Sequence, residues 1–194
     1  MEHQPALMPS DEELVRRSLV ERSYFGFLVE RYEQKLARYI TRLGVRNPDD
    51  RADVLQEIFI KIYRNLNSFD TSLSFSSWAY RIAHNEAVSW FRKHRVRPEG
   101  NLIGDSEDIL CLLASQEERP DETFDRSVNA FEVARALERI DSKYREALIL
   151  RYFEHKEYEE ISDILRIPVG SVGTLIHRGK KHLQGALNAD AIRI

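Results

Sequence analysis

The stretch from residue 158 to residue 183 constrains the fold of this chain most, because it contains two short helical patterns separated by a tight break. In the first pattern Ile161 and Leu165 are four residues apart, the spacing that one face of a helix requires. The break falls at Arg166-Ile167-Pro168, since proline has no N–H and disfavours helical geometry in the residue before it. The sequence therefore predicts two helices joined by a short turn.

The second of these helices ends in positive charge. It is predicted to begin near Val169, with Ser171 as its N-cap, and it contains no acid over residues 177–182 (HRGKKH). A helix-turn-helix that places its second helix on DNA has this pattern. A helical hairpin whose basic end is merely solvated has it too. The stretch therefore favours DNA binding without excluding the simpler interpretation.

The rest of the chain is also helical in pattern. Its 194 residues are enough to bury a core, and they include only eight glycines and six prolines. Apolar residues recur at helical spacing nearly throughout, and no run of alternating β-branched residues is long enough to predict a strand. We predict an all-α fold of two small helical domains joined by an acidic flexible linker, with the helix-turn-helix in the C-terminal domain.

Charge is distributed unevenly along the chain. A formal net charge of −3 looks unfavourable for a nucleic-acid binder, but nine acids stand against two arginines between Glu99 and Ser127. The remainder of the chain is therefore net basic. This pattern predicts a basic-ended domain over 1–98, an acidic linker over 99–128 and a second basic-ended domain over 129–194.

Composition and spacing exclude several classes of protein. No run of about eighteen apolar residues predicts a membrane span, and the N-terminus lacks the pattern of a signal peptide. A lone cysteine, Cys111, is typical of the reducing cytoplasm, where we expect this chain to lie. His177 and His182 are five residues apart, which is not one helical face, so neither a metal site nor a cofactor is predicted. Without a phosphate loop or nucleophile motif, no enzyme is predicted either.

Start and stop signals mark the helices within both predicted domains. Ser10, with a glutamate three residues later, forms a capping box for the first helix, and Gly44 is expected to end the second. Asn47, followed by a proline and two aspartates, opens a third. Two adjacent apolar stripes on this third helix predict that other elements pack against it on more than one side. Asp141 is expected to cap a later helix that continues to Phe153.

A fourth helix is predicted over 76–94, after a polar break over 65–75. Aromatic residues on this helix are interleaved with arginine and lysine. Rings that stack on bases and cations that follow phosphates suit single-stranded DNA. Tryptophan and tyrosine at helical spacing are more often core residues than platforms for bases, so both interpretations remain open.

Taken in order, three segments of the chain resemble the extracytoplasmic-function (ECF) group of the sigma-70 family of bacterial RNA polymerase sigma factors. Residues 51–70 (RADVLQEIFIKIYRNLNSFD) are similar to the family's core-polymerase-binding helix, and residues 74–98 (SFSSWAYRIAHNEAVSWFRKHRVRP) to its promoter-melting helix. Residues 148–183 are similar to the helix-turn-helix that reads the minus-thirty-five element. The resemblance implies a sigma factor, which directs core polymerase to promoters and helps to melt the minus-ten region while the polymerase performs the chemistry.

The same resemblance implies three groups of site residues. The surface that grips the β′ clamp helices of the polymerase would carry Asp53, Gln56, Glu57, Phe59 and Lys61. The loop that captures a flipped base of the minus-ten element, with the DNA path beside it, would carry Asn67, Ser68, Phe69, Phe75, Trp78, Tyr80, Arg81, Asn85, Arg92 and Lys93. The minus-thirty-five element would be contacted by Ser171, Thr174, His177, Arg178, Lys180 and Lys181.

Two positions in the second helix of the helix-turn-helix depart from the family pattern. Gly173 stands where the family usually has a basic residue, and Leu175 stands where arginine is common. Gly179 is a second glycine inside the helix, and each glycine costs about 0.5–1 kcal/mol relative to alanine. The basic residues among the contacts named above are expected on phosphates rather than on bases.

The implied partners are core polymerase, through its β′ clamp and β flap, and promoter DNA in duplex and single-stranded form. In the family the linker passes through the polymerase channel, where negative charge can mimic nucleic acid, although a solvated tether has the same composition. The chain shows neither the family's longer N-terminal inhibitory region nor its middle domain, so a separate anti-sigma protein is expected to hold it inactive. The alternative function is a stand-alone helix-turn-helix regulator of duplex DNA, which would leave the first half of the chain without a purpose.

Overall fold

The computed structural model describes residues 9–71, 73–94 and 130–191, and every regular element among them is helical. This confirms the all-α prediction. Cys111 and the acidic linker predicted over 99–128 lie outside the described residues. The described elements form an N-terminal lobe before residue 95 and a C-terminal lobe after residue 129.

Local signals set the helix boundaries of the N-terminal lobe. The Ser10 hydroxyl accepts a hydrogen bond from the backbone N–H of Glu13 at 3.2 Å. The Asn47 side chain likewise accepts from backbone N–H groups in the first turn of the third helix. Gly44 ends the second helix with a φ of 124°, which side chains rarely adopt. These boundaries are as predicted. The helices are α1 (Asp11–Val20), α2 (Phe25–Leu43), α3 (Pro48–Asn65) and α4 (Phe75–His94), with 3-10 turns at Arg22–Tyr24 and Leu66–Ser68.

The core of this lobe lies between α2, α3 and α4. The first predicted stripe of α3, which includes Ile58, is buried. Its second stripe is only half-covered, and Tyr63 at the end of that stripe is exposed although its ring lies 5.1 Å from the ring of Phe25. Other elements therefore bury the first stripe of α3 fully and the second stripe only in part.

The C-terminal lobe packs two further helices, the second extended by a π-helical turn, against the helix-turn-helix. Asp141 accepts a hydrogen bond from the N–H of Lys143 at 3.4 Å and caps the second of its helices, as predicted. That helix continues as a π-helical turn and ends at Phe153, also as predicted. The elements are α5 (Ala130–Arg139), α6 (Ser142–Leu148) with its π-helical turn (Ile149–Phe153), α7 (Tyr158–Leu165) and α8 (Val169–Ala191).

Helices α7 and α8 form the predicted helix-turn-helix. Arg166 ends α7 in the left-handed conformation, with a φ of 54°. Helix α8 begins at Val169, directly after Pro168, so the prediction that Ser171 is the N-cap is wrong. Ser171 lies inside the first turn, because the fixed φ of proline already suits the entry to a helix. Its N–H donates to the carbonyl of Pro168 at 2.8 Å.

The two lobes pack against each other, mainly through α4 and α7. This contact covers a side of α4 that its own sequence pattern predicts to be polar. The side chains that meet there are accordingly hydroxyls, carboxylates and cations rather than an apolar seam. The arrangement of the lobes therefore rests on polar contacts that the sequence pattern of one helix cannot reveal.

Candidate nucleic-acid interface

The solvent-facing side of α8 is basic. Four of the six residues predicted to contact the minus-thirty-five element are exposed: Thr174, His177, Arg178 and Lys181. The other two are half-buried, namely Ser171 in the first turn and Lys180, whose ammonium lies 5.1 Å from the centroid of the Tyr152 ring. No acid occurs over residues 169–187. The helix can therefore attract phosphate along its length while it presents a hydroxyl and an imidazole to base edges.

Gly173 and Gly179, the two glycines noted inside this helix, have different surroundings. Helix α8 passes so close to α6 at Gly179 that a Cβ there would lie 3.2 Å from Cγ and Cδ1 of Leu148. Gly179 is buried and faces the core of the lobe, so it does not interrupt the basic face. At Gly173 a Cβ would lie 3.5 Å from Cε2 of Tyr158, which is an ordinary contact distance. A side chain would therefore crowd α6 at the first of these positions and would meet no tight contact at the second.

Three aromatic rings form a floor beneath the predicted base-capturing loop. Phe69 and Phe75 are buried, with ring centroids 5.6 Å apart. The half-buried ring of Trp78 lies 5.0 Å from the first and 5.7 Å from the second. Asn67 and Ser68, at the start of the loop, are exposed. An amide and a hydroxyl are therefore the predicted site groups that the loop offers to solvent, and the rings beneath it pack as a core.

The other predicted residues of α4 differ in exposure. Asn85, Arg92 and Lys93 are exposed, and Arg81 is half-buried. Tyr80 is only 3% exposed, and its hydroxyl donates to Oε2 of Glu154 in the C-terminal lobe at 2.7 Å. In this conformation Tyr80 does not face solvent, because the C-terminal lobe covers it.

The predicted polymerase-binding residues lie on α3. Asp53, Gln56 and Glu57 are exposed on one face of the helix. Phe59 is half-buried against the core of the lobe. The ammonium of Lys61 pairs with Glu86 of α4 at 2.5 Å. The structure thus brings the three exposed polar residues together and gives the other two contacts within the lobe.

Sequence analysis missed a buried ion pair between the lobes. Nη1 of Arg42 on α2 donates to Oε1 of Glu154 at 2.6 Å, and the two side chains are 6% and 5% exposed. Burial raises the pKa of Glu154, and the nearby guanidinium opposes that rise. Arg42 interrupts the apolar stripe of α2, between Ile40 and Leu43. An arginine in such a stripe was a sequence signal for a buried partner, although nothing near it in the sequence identified Glu154.

A second group of polar contacts joins α4 to the start of α7. Nζ of Lys156 donates to Oγ of Ser76 at 2.6 Å and to Oε1 of Glu160 at 3.1 Å. The Ser77 hydroxyl donates to the same carboxylate oxygen at 3.1 Å. Because Lys156 is buried, these acceptors offset the cost of removing its charge from water.

His84 and Glu146 meet within the same lobe contact, with Nε2 and Oε2 4.0 Å apart. The Tyr39 hydroxyl lies 3.3 Å from Nδ1 of His84. Burial lowers the pKa of His84 to about 4 and raises the pKa of Glu146 to about 7. At pH values between these two pKa values, burial favours the neutral form of both side chains. At the exposed rim of the contact, Arg46 pairs with Glu138 at 3.1 Å.

Two kinds of site are not found in the part of the chain that the structure describes. Within 9–71, 73–94 and 130–191, no group of three or more histidine, cysteine, aspartate or glutamate side chains could hold a metal ion. Over the same residues, no helix combines the length and the apolar character that crossing a membrane requires.

Comparison with known protein families matches both lobes. The model of Sigma-70 region 2 matches residues 28–97, and the model of Sigma-70 region 4 matches residues 130–183. The ECF RNA polymerase sigma-E factor of Haemophilus influenzae is 33% identical over 186 residues, which cover 91% of this chain and 97% of that protein. The ECF RNA polymerase sigma factor SigW of Bacillus subtilis is 32% identical over 168 residues, which cover 84% of this chain and 88% of that protein.

Solved structures share the fold. CnrH in complex with the cytosolic domain of CnrY aligns with a TM-score of 0.67 at 24% identity, covering 93% of this chain and 98% of that chain. The sigma factor RpoE in complex with the anti-sigma factor NepR, from Bartonella quintana, aligns with a TM-score of 0.63 at 21% identity, covering 86% of this chain and 98% of that chain.

Proposed function

Since the chain belongs to the ECF group of the sigma-70 family and is a sigma factor of RNA polymerase, we propose that its two lobes divide promoter recognition between them. In this proposal residues 1–98 bind core polymerase and the minus-ten element, and residues 129–194 bind the minus-thirty-five element. Residues 99–128 connect the two. The order of the two matched regions along the chain supports this division.

The exposed basic face of α8 is the observation that carries the proposal. The minus-thirty-five element is duplex DNA, and a recognition helix in its major groove needs cations for phosphates and short polar groups for base edges. Arg178 and Lys181 supply exposed cations, and Lys180 supplies a half-buried one. Thr174 and His177 supply exposed polar groups on the same face, and Ser171 adds a half-buried hydroxyl.

The N-terminal lobe acts on the minus-ten element as a single strand. Asn67 and Ser68 accept a base that has left the stack, and the ring floor holds their loop in place. Extruding a base costs a few kcal/mol, so capture of the right base is itself selective. Asn85, Arg92 and Lys93 follow the strand along α4. Binding energy to the open strand offsets the unpairing, so the protein itself catalyses no reaction.

The acidic side of α3 binds the polymerase. Asp53 and Glu57 present carboxylates one turn apart with Gln56 between them, which suits a basic partner surface. We assign that surface to the clamp helices of the β′ subunit, while the C-terminal lobe contacts the β flap. The protein therefore acts in the cytoplasm, where core polymerase lies.

The proposal has two further parts, one about the conformation of the lobes and one about an inhibitory partner. Tyr80 contacts DNA only when the lobes separate, because the C-terminal lobe covers it in the present conformation. A separate anti-sigma protein holds the chain inactive, and the two similar structures support this part because one is a complex with the cytosolic domain of CnrY and the other a complex with the anti-sigma factor NepR. Equal activation of transcription in cells that contain such a partner and in cells that lack it would contradict the second point.

Run-off transcription with bacterial core polymerase tests the proposal directly. Polymerase with and without this protein is given a library of promoter fragments, and complex formation is followed by gel filtration. Co-elution and new promoter-dependent transcripts are expected, and alignment of the transcribed fragments gives both promoter elements. Asp53→Lys with Glu57→Lys should abolish co-elution. The same changes at Glu30 and Glu33, two exposed acids of α2, should leave it intact.

One outcome would overturn the proposal in favour of another function. If the chain ignored core polymerase and bound duplex DNA by itself with a steep dependence on salt, a stand-alone regulator would be the better description. The region 2 match over the first half of the chain argues against this alternative.

A further inference from the structure

A row of cations on α2 runs into the contact between the lobes. Lys35, Arg38 and Arg42 are spaced three and four residues apart, so they lie on one side of the helix. The first two are exposed, whereas Arg42 is buried because the C-terminal lobe covers it. Its Cζ lies 5.0 Å from the centroid of the Phe153 ring, and its Nη1 pairs with Glu154. The row therefore meets a carboxylate that the other lobe supplies.

Two helices of the N-terminal lobe hold this carboxylate between them. Nη1 of Arg42 on α2 donates to Oε1 of Glu154 at 2.6 Å, and the Tyr80 hydroxyl on α4 donates to Oε2 at 2.7 Å. Burial raises the pKa of Glu154, and Arg38 is among the cations that oppose this rise, so its charge also acts on the carboxylate. A guanidinium and a hydroxyl that converge on two oxygens of one anion are also donors that bind a phosphodiester.

The donors and the anion belong to different lobes, so they part when the lobes separate. Arg42 and Tyr80 stay together, because α2 and α4 share one core, in which the rings of Tyr39 and Tyr80 lie 5.0 Å apart. Glu154 leaves with the C-terminal lobe, on the segment that joins the π-helical turn to α7. Separation therefore leaves a pair of donors on the N-terminal lobe, with the exposed guanidinium of Arg38 one turn away along α2.

We infer that Arg42 and Tyr80 form a binding site for one phosphate of the single-stranded minus-ten element, and that the carboxylate of Glu154 fills this site while the lobes are closed. The two carboxylate oxygens stand in for two phosphate oxygens. The C-terminal lobe and the promoter strand therefore compete for the same donors. This inference rests on the proposed function, in which Tyr80 meets that strand, and adds to it a residue of α2, a helix with no predicted DNA contact.

The site is tested on the reconstituted holoenzyme. The probe is a fluorescent single strand that carries the minus-ten element of a promoter selected by run-off transcription, and fluorescence anisotropy measures its affinity. Arg42→Gln should weaken binding roughly tenfold, since a hydrogen bond to a charged group is lost. It should also reduce the slope of log affinity against log salt by about 0.7, the value for one phosphate of a single strand. Arg42→Lys keeps the charge and should restore the slope and part of the affinity.

Arg22→Gln is the matched control for the loss of charge. Arg22 is an exposed arginine just before α2, and Arg42 lies near the other end of that helix. The helix between them spans about 25 Å, which is more than twice the screening length of about 10 Å at moderate salt. Arg22→Gln should therefore match the wild type in affinity and in salt slope.

Single neutral methylphosphonate linkages, placed one at a time along the strand, locate the phosphate. The wild-type holoenzyme should lose roughly tenfold in affinity at one linkage, and Arg42→Gln should lose nothing further there. Tyr80→Phe, which keeps the ring and lacks only the hydroxyl, should lose less than the wild type at the same linkage. The same scan on the upstream duplex should show no linkage whose effect depends on Arg42.

Competition with the C-terminal lobe is tested on the free full-length chain with the same strand. Glu154→Ala should bind it at least tenfold more tightly than the wild type, because the closed form no longer fills the site. Glu138→Ala removes a carboxylate from the exposed rim of the same contact and should leave the affinity unchanged.

Three results would overturn the inference. The first is an Arg42→Gln holoenzyme that binds the strand as tightly as the wild type. The second is an Arg42→Gln holoenzyme that loses as much as the wild type at every neutral linkage. The third is a free Glu154→Ala chain that binds the strand no more tightly than the wild-type chain. A wild-type holoenzyme that does not bind the strand at all would instead refute the proposed function.

Discussion

Removing the carboxylate of Glu154 should separate the two lobes. This carboxylate accepts from Arg42 at 2.6 Å and from the Tyr80 hydroxyl at 2.7 Å, and all three side chains are buried. Glu154→Ala would leave the guanidinium inside the contact without its carboxylate and the hydroxyl without its acceptor. Breaking a buried ion pair from one side costs about 3–5 kcal/mol. In the open form water reaches both groups, so this free-energy cost destabilises only the closed form and shifts the equilibrium towards the open form.

The magnitude is large enough to measure. A loss of about 3 kcal/mol changes the ratio of closed to open forms by roughly 150-fold. Small-angle X-ray scattering on the full chain should therefore give a larger radius of gyration for Glu154→Ala than for the wild type. Glu154→Gln keeps an acceptor for Tyr80 and should expand the chain less.

The same contact contains a matched control. Arg46 and Glu138 also pair across the lobes, at 3.1 Å, but these side chains are 40% and 27% exposed. Exposed pairs contribute about 0–1 kcal/mol, so Glu138→Ala should leave the radius of gyration unchanged. In the double variant Arg42→Met with Glu154→Gln neither member of this pair carries a charge, so most of the compactness should return. An unchanged radius for Glu154→Ala, or equal expansion for Glu138→Ala, would refute the argument that this buried pair holds the lobes together.

Three other predictions concern pH, helix packing and salt. A raised pKa of about 7 for Glu146 should stabilise the fold as pH falls from 7 towards 4.5, and a lowered pKa of about 4 for His84 should destabilise it as pH falls from 6.5 towards 4. These two effects oppose each other in the wild type. When the free energy of unfolding is measured with denaturant at decreasing pH, His84→Gln should therefore become more stable relative to the wild type, and Glu146→Gln should become less stable relative to it. Gly173→Ala should stabilise the protein by about 0.5–1 kcal/mol, since a Cβ fits there, whereas Gly179→Ala should destabilise it by about 1 kcal/mol, since its Cβ would press on α6. Equal effects of the two alanines on unfolding would contradict this reading of their surroundings. Lys181→Ala should weaken holoenzyme binding to all promoter duplexes alike and reduce the slope of log affinity against log salt by about 1, and an unchanged slope would show that Lys181 meets no phosphate.

Features that depend on a few consecutive residues could be predicted from the sequence. The caps at Ser10, Asn47 and Asp141 need only a side-chain oxygen and the next N–H groups. The break at Pro168 follows from the chemistry of its ring. The wrong prediction of Ser171 as an N-cap also concerned a few consecutive residues. Serine is a good cap wherever a helix starts, but Pro168 had already fixed the start of this helix at Val169.

Features that depend on the meeting of distant segments could not be predicted. Tyr80 lies on a side of α4 that reads as polar, and it is buried because Glu154, 74 residues later, reaches it from the other lobe. Periodicity reports the faces of one helix and not what covers them. For the same reason the sequence could not show that Tyr158, at the start of α7, lies partly exposed against Gly173.

The contact between the lobes affects the two DNA-binding surfaces unequally. Thr174, His177 and Lys181 remain exposed on α8, because α8 packs through its other side onto α5 and α6. On α4, by contrast, α7 and the segment before it cover Tyr80 and Ser77. Separation of the lobes therefore changes what α4 can reach and leaves the basic face of α8 as it is. Strengthening or weakening the buried ion pair should accordingly alter recognition of the single-stranded minus-ten element far more than recognition of the upstream duplex.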